Sequence, residues 1–178
     1  MKKTLITAVI AVSMISLTAC EVVQQTLTAV AQEALTPATS LGQVQQADPS
    51  FPVAVTSCRR QGNDVILTFQ VRNNTGQTLQ DVRIGNIGYA FTSYPVSMEG
   101  KTDVGQVFDG ASSRVKVQGG NWDSIARFDM PAGGSKTIQV GVTNIASNAR
   151  SISLQVGFSC QNKTFDHPGV VFTLVPIQ

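Results

Sequence analysis

Apolar side chains recur at every second position in several short segments of this chain, and this alternation limits the fold more than any other feature. It is clearest in residues 65–72, VILTFQVR, where Val65, Leu67, Phe69 and Val71 would share one face. Successive side chains of a β-strand point to opposite sides, so this spacing predicts a strand with one buried face. Further strands are predicted at residues 51–58, 113–118, 122–128, 138–142, 152–160 and 170–175.

Turn-forming residues separate these segments at short intervals. Residues 59–64, 73–77 and 130–135 are rich in Gly, Asn, Asp, Pro or Ser, which favour tight turns. The register of residues 79–91 is uneven, which predicts a β-bulge or a strand that switches sheets. No long helical pattern interrupts residues 51–178, so we expect this domain to be an antiparallel, immunoglobulin-like β-sandwich of about seven to nine strands.

Two runs of sequence resemble the immunoglobulin-like domains of bacterial surface proteins. They are DVILTFQVRNNTGQTLQDVRIG at residues 64–85 and MPAGGSKTIQVGVTN at residues 130–144. An Asn-rich turn leads into a strand in the first, a Pro-Ala-Gly-Gly turn precedes a core strand in the second, and the resemblance implies the same sandwich fold. The antibody-type Cys-Trp-Cys core is absent, because Trp122 follows Cys58 by 64 residues. The resemblance is one of pattern and identifies no specific family.

The first 20 residues have the organisation of a bacterial export signal. Two lysines follow Met1, and the uncharged run at residues 4–19 is typical of a secretory signal peptide. This run of 16 residues is shorter than the ~20 of a membrane-spanning helix. Leu17-Thr18-Ala19-Cys20 resembles a bacterial lipobox, which implies removal of residues 1–19 and acylation of Cys20. Two or more acyl chains hold a protein on a bilayer, so we expect Cys20 to be a membrane anchor; the alternative is ordinary secretion.

Residues 20–50 are expected to link the lipid to the sandwich domain. In the enterobacterial sorting rule that the lipobox resemblance brings with it, Asp after the cysteine retains a lipoprotein in the inner membrane, so Glu21 favours the outer membrane. Residues 21–36 have the apolar spacing of a helix, which ends at Pro37, and residues 37–50 have linker composition. The helix is either a marginal tether or an element that docks on the domain or self-associates.

The charge of the chain excludes one class of partner. Of its 13 Lys and Arg residues, Lys2 and Lys3 lie in the signal, so the mature chain carries 13 − 2 = 11 against 11 Asp and Glu. It is therefore formally neutral, whereas a nucleic-acid-binding domain normally carries a basic excess or stripe. We expect no nucleic-acid partner.

The three cysteines of the chain predict one covalent cross-link. Because Cys20 is assigned to lipid, Cys58 and Cys160 are left, and an even pair in an oxidising envelope predicts a disulfide. The alternative is two buried free thiols. With one histidine and no paired cysteine spacing, we expect no metal site.

No motif in the chain marks a catalytic centre. His167, the only histidine, lies beside Asp166 in a loop with Pro and Gly, and no Gly-x-Ser-x-Gly sequence marks a nucleophile. Asp103 and Asp109 lack the acid spacing of a Ca²⁺-binding loop. We assign no catalytic residue, metal or cofactor, and an enzyme is the less favoured interpretation.

Tyr94 and Trp122 lie beside turn residues and are candidate binding residues, because exposed Tyr and Trp supply contact area at binding sites. We expect an envelope lipoprotein whose sandwich binds a protein or glycan partner or has a structural role in an assembly. One alternative is an envelope hydrolase whose site forms only in three dimensions. Another is a periplasmic accessory protein or chaperone that binds partners through a strand edge.

Overall fold

The computed structural model describes residues 38–88 and 96–178. Several predictions fall outside these described residues: the signal peptide (1–19), the lipidation site Cys20, the helix (21–36) and the candidate binding residue Tyr94. Within the described residues, no helix has the length and apolar character needed to cross a membrane.

Eleven strands form two antiparallel sheets in the described part of the chain. They are β1 (Val44–Asp48), β2 (Phe51–Gln61), β3 (Asp64–Arg72), β4 (Leu79–Gly85), β5 (Glu99–Thr102), β6 (Val107–Phe108), β7 (Ser113–Val117), β8 (Ile125–Met130), β9 (Ser135–Val142), β10 (Ser151–Ser159) and β11 (Gly169–Pro176). A single turn of 3₁₀ helix, Gly110–Ser112, precedes β7. The prediction of an all-β, antiparallel sandwich is confirmed, whereas the expected number of about seven to nine strands is too low.

The two sheets differ in how their strands are ordered. The five-stranded sheet has the order β1-β2-β3-β9-β7, and the six-stranded sheet has the order β6-β5-β10-β4-β8, with β11 also paired to β10. β10 is central in the second sheet. The first half of β10 pairs with β5 and its last three residues pair with β4, while β11 lies along its other side.

Phenylalanine rings join the two sheets across the core. Phe69 of β3 lies 5.3 Å from Phe172 of β11 and 6.2 Å from Phe158 of β10, measured between ring centroids. Phe51 of β2 makes an edge-on contact with Phe158 at 6.0 Å. All four rings are buried, and such tilted aromatic pairs stabilise a core beyond the area they bury. The predicted alternation of β3 therefore directs its apolar side chains to this shared core.

Three short strands, β1, β5 and β6, have no counterpart in the sequence-based prediction. β1 lies within residues 37–50, which were predicted to be a linker, and it pairs antiparallel with the start of β2. Asp48 at the end of β1 forms an ion pair with Lys163 at 2.9 Å and a hydrogen bond with Ser50. The sheet thus begins before the predicted domain boundary at residue 50. Its first strand is polar, so alternation did not mark it.

The uneven register predicted in residues 79–91 is a β-bulge. The pairing of β4 with β8 shifts between Leu79 and Val82, and the intervening Asp81 has a φ of 46°. Arg127 of β8 donates two hydrogen bonds to the Asp81 carboxylate, at 2.9 and 2.8 Å. These bonds hold the pKa of Asp81 below its usual value, although partial burial opposes the shift. Of the two predicted alternatives, a bulge or a switch between sheets, the described residues 79–88 show a bulge.

The predicted Cys58–Cys160 disulfide is absent from the structure, which holds both cysteines as free thiols. Gln178 N donates to Cys58 O, and Pro176 pairs with Ser151, so Cys58 lies near the beginning of β10. Cys160 directly follows the end of the same strand. A strand advances ~3.3 Å per residue, which places the two cysteines about 30 Å apart along the sandwich, whereas a disulfide needs Cα atoms within about 7 Å.

The surroundings of each cysteine give it a structural role that needs no disulfide. Cys58 is buried in the core, and burial raises the pKa of its thiol to about 12. Cys160 is half-buried, and its Sγ lies 3.2 Å from Gln80 O and 3.1 Å from Asn162 Oδ1. Cys58 therefore fills core space as a small apolar side chain. Cys160 contacts Gln80 of β4 and Asn162 in the loop that follows β10.

Asn73 joins the two turns that the sequence analysis singled out. Its side chain is buried, and Nδ2 donates to the carbonyl oxygens of Gln77 (2.8 Å), Met130 (2.9 Å) and Pro131 (3.1 Å). Its Oδ1 accepts a hydrogen bond from the backbone N of Thr75 at 3.0 Å. The amide thus binds the turn after β3 and the turn after β8 at the same time.

We expect Asn73→Ala to lower the free energy of unfolding by about 3 kcal/mol, because it removes the three hydrogen bonds that Nδ2 donates to Gln77, Met130 and Pro131, each of which contributes about 1 kcal/mol. The measurement is the midpoint of urea unfolding. Asn74→Ala, at the exposed neighbouring position, is the control and should change stability by less than about 0.5 kcal/mol. Equal midpoints for the two variants would show that the amide has no clamping role.

Candidate functional site

The polar residues considered as catalytic or metal-binding candidates are dispersed in the structure. His167 and Asp166 are exposed, and within the described residues the imidazole of His167 makes no hydrogen bond. Asp103 Oδ1 accepts from the backbone N of Arg150 at 3.0 Å, and Asp109 caps the 3₁₀ turn. No three His, Cys, Asp or Glu side chains in residues 38–88 and 96–178 are grouped as metal ligands would be.

Trp122 lies in the loop between β7 and β8, and this loop folds back against the five-stranded sheet. Val115 of β7 and Asp123 exchange two backbone hydrogen bonds, of 2.7 and 2.9 Å, which hold the loop beside β7. The indole then lies over Gly141 of β9: its Cη2 and Cζ3 are 3.2 and 3.3 Å from the point where a Cβ of residue 141 would be. A side chain at position 141 would therefore compete with the indole for the same space.

The indole is half exposed and is also approached by a cation. Its residue has 42% of its surface accessible, which agrees with the expectation that Trp122 lies at the surface. Lys116 Nζ of β7 is 4.5 Å from the ring centroid, within the range of a cation–π interaction. The ring is thus held in place by the glycine beneath it and by a neighbouring charge.

Strand register brings two arginines into line with this indole. Arg59 pairs with Ile66, Ile66 pairs with Gly141, and Gly141 pairs with Arg114, so the four residues form one row across β2, β3, β9 and β7. Alternation directs all four to the outer side of the sheet, away from the core. We call this surface, formed by the outward residues of these four strands together with Trp122, the Trp122 face.

Two adjoining depressions lie on the Trp122 face. The larger has a volume of about 460 Å³ and is bordered by Trp122 and Arg114. The smaller has a volume of about 320 Å³ and is bordered by Arg59. Both include Gln61 and Ile66, so the two depressions adjoin, and we call them together the groove. Each is within the size range of small-ligand sites.

The groove carries an excess of positive charge. Arg59 and Arg114 are exposed, and neither side chain makes a hydrogen bond or ion pair with another described residue. Lys116 adds a third cation through its position over the indole. The acidic neighbour is Asp64, whose Oδ1 accepts a hydrogen bond from Asn144 N at 3.2 Å. The two guanidinium groups are therefore available to an anionic ligand.

A third depression, of about 340 Å³, lies on the six-stranded sheet and has a different character. Val107 and Val171 are its exposed apolar residues, with 77% and 53% of their surfaces accessible. Its polar neighbours include Asp109, which caps the 3₁₀ turn, and Ser153, whose Oγ accepts from Leu174 N at 2.9 Å. Asp109 and Ser153 are thus committed to the fold, while Glu99, Lys101 and Gln155 also border this depression.

Sequence reasoning found part of the Trp122 face and missed the rest. Trp122 was a predicted binding residue, whereas Arg59 was assigned to a turn at residues 59–64; the structure corrects this assignment, because β2 continues to Gln61. Arg114 lies in a predicted strand, but its alignment with Arg59 depends on which strands are neighbours. Alternation could have predicted that each arginine side chain points outward, but not that the two arginines lie in one row across the sheet.

No protein-family model matches the chain, and no curated protein matches it. Among solved structures, a family 123 glycoside hydrolase from Clostridium perfringens is similar over 67% of this chain and 22% of its own, with a TM-score of 0.40 and 6% identity. This chain thus spans about a fifth of the hydrolase.

Two further solved structures are similar at the same low level. An uncharacterized β-sandwich protein from Clostridium difficile 630 aligns over 80% of this chain and 96% of its own, with a TM-score of 0.37 and 8% identity. The mu homology domain of Fcho1 from Danio rerio, solved with a bound peptide, aligns over 74% and 52%, with a TM-score of 0.32 and 8% identity. At these TM-scores, none of the three similarities is evidence for an activity or a ligand.

We expect Gly141→Val to displace the indole of Trp122, because the new side chain needs the space that Cη2 and Cζ3 occupy. Trp122 is the only tryptophan in the chain, so the intrinsic fluorescence of the protein reports its environment directly. The emission maximum should move to longer wavelength in Gly141→Val and stay unchanged in Thr137→Val, which alters another position of the same strand. Identical spectra for the two variants would contradict the contact.

Proposed function

We propose that this protein is a lipid-anchored binding module of the bacterial cell envelope. Acylated Cys20 attaches it to the membrane, with the outer membrane favoured, and the Trp122 face binds a protein or glycan ligand of the envelope. The observation that carries the proposal is the groove on this face, which is bordered by a half-exposed indole and by two arginines without a described partner.

The position of the groove determines how a ligand would be recognised. β2, β3 and β9 are interior strands of their sheet, so their backbone N–H and C=O groups are already paired with neighbouring strands. A ligand on this face would therefore contact side chains. Trp and Arg are among the side chains most enriched among residues that contribute strongly to binding, and both border this groove.

Support for the membrane anchor comes from the sequence of residues 1–20, which resembles a lipoprotein signal followed by a lipobox. The described domain begins at residue 38, which is 18 residues beyond Cys20. Residues 21–37 would then connect the acylated cysteine to the domain.

We expect a labelled fatty acid supplied to the producing cells to enter the wild-type protein and to be absent from Cys20→Ala. The wild type should sediment with membranes, and Cys20→Ala should be found in the soluble envelope fraction. Cys160→Ala is the control and should keep both the label and the membrane association. Equal labelling of wild type and Cys20→Ala would refute the anchor without affecting the binding face.

We expect the unlipidated protein (mature chain with Cys20→Ala) to bind saturably to washed envelopes of the producing bacterium. Trp122→Ala should weaken this binding about tenfold, the effect of losing roughly 1.4 kcal/mol of contact energy. Val171→Ala, at an exposed apolar position on the six-stranded sheet, is the matched control and should bind like the parent. Non-saturable binding, or equal affinity of the two variants, would exclude the Trp122 face as the ligand site.

A further inference from the structure

The two arginines of the Trp122 face are spaced for an extended ligand. They occupy β2 and β7, which are separated by β3 and β9. Because neighbouring strands are ~4.8 Å apart, the Cα atoms of Arg59 and Arg114 lie about 14 Å apart. Between them the row contains Ile66 and Gly141, with the indole of Trp122 over the glycine. A cation thus stands at each end of a short apolar strip that crosses the strands.

We propose that the ligand of this face is a polysaccharide that carries carboxylate groups and lies across the strands. This proposal rests on the function proposed above and specifies its ligand. The planar guanidinium group binds a carboxylate through two parallel hydrogen bonds, so Arg59 and Arg114 would each hold one carboxylate of the chain. The sugar rings between these carboxylates would pack against Ile66 and the wall formed by Trp122.

The remaining polar side chains of the groove suit sugar hydroxyl groups. Ser57, Gln61, Thr68 and Gln139 border the smaller depression, and no hydrogen bond involves their side chains in the described part of the chain. Hydroxyl and carboxamide groups each contain both a donor and an acceptor, as does every sugar hydroxyl. The groove can therefore satisfy the hydroxyl groups of a glycan that it removes from water.

Charge and geometry favour this ligand over an acidic peptide. Extended peptides commonly bind proteins by adding a strand to a sheet edge, where free backbone groups supply the affinity. Only side chains line the groove across β2, β3 and β9, which are interior strands. A neutral glycan would leave both guanidinium groups unused, whereas a carboxylated glycan pairs with them and with the surrounding polar side chains.

The test measures binding of the unlipidated mature chain (Cys20→Ala) to alginate, polygalacturonate and hyaluronate, each compared with its own methyl ester. Trp122 fluorescence and calorimetry provide the signals. At least one of the three acids should bind, and its methyl ester, which keeps the sugars but removes the charge, should bind at least about tenfold more weakly. The affinity for the acid should fall as salt is added, because exposed charges are screened.

Arginine variants locate the binding groups. Arg59→Ala and Arg114→Ala should each weaken binding of the acid about tenfold. Arg72→Ala is the matched control: Arg72 is exposed on the same side of β3 but lies six residues from Ile66, about 20 Å along the strand. Its removal should leave the affinity unchanged. Far-ultraviolet circular dichroism and the unfolding midpoint of each variant confirm that only folded proteins are compared.

Several results would overturn the proposal. The proposal is contradicted if none of the three acids binds, or if an acid and its ester bind with equal affinity. It is also contradicted if Arg72→Ala and Arg59→Ala have equal effects, or if polyglutamate or polyphosphate binds more tightly than every carboxylated glycan. If envelope binding still depends on Trp122 in that case, the proposed function stands and only the ligand class falls. If envelope binding does not depend on Trp122, the proposed function itself falls.

Discussion

The fold depends on one buried amide, that of Asn73, at the place where the chain twice passes between the sheets. Residues 73–78 lead from β3 in the five-stranded sheet to β4 in the six-stranded sheet, and residues 131–134 lead back from β8 to β9. Asn73 binds carbonyl groups in both crossings. A fully bonded polar network inside a core specifies a single arrangement, whereas a partly bonded one is costly. One side chain thus fixes the relation between two crossings that are distant in sequence.

The Trp122 face follows from the register that begins at this clamp. Arg72 pairs with Ser135 directly beside it, and counting along β3 and β9 from this pair places Ile66 opposite Gly141. A slip of one residue would turn every outward side chain of β9 towards the core, and the small residue beneath the indole would be lost from the surface. The groove on this face is therefore specified by contacts at the far end of the same two strands.

Alternation predicts the long strands because it is a local property of the chain, and the sandwich follows from it. The polar β1 and the short β5 and β6 escape prediction because they owe their form to backbone partners in neighbouring strands. The predicted Cys58–Cys160 disulfide is wrong for a similar reason. The topology of the sheets places the two cysteines at opposite ends of the sandwich, and the spacing of cysteines in the sequence does not reveal this topology. Exposure of Trp122 is predicted from the turn residues beside it, although the strand predicted at 122–128 begins at Ile125. The contact of Trp122 with Gly141 and the position of Arg59 in a strand require the register of the sheet.

The loop that carries Trp122 also covers part of the edge strand β7, because Asp123 forms hydrogen bonds with the backbone N–H and C=O groups of Val115. An unpaired edge strand is a template with which another chain can pair, and such pairing leads to aggregation. Natural proteins therefore shield their edge strands. The same few residues therefore cover the sheet edge and carry the side chain proposed to contact the ligand. Variation of this loop towards new ligands would be limited by the solubility of the protein as much as by its affinity.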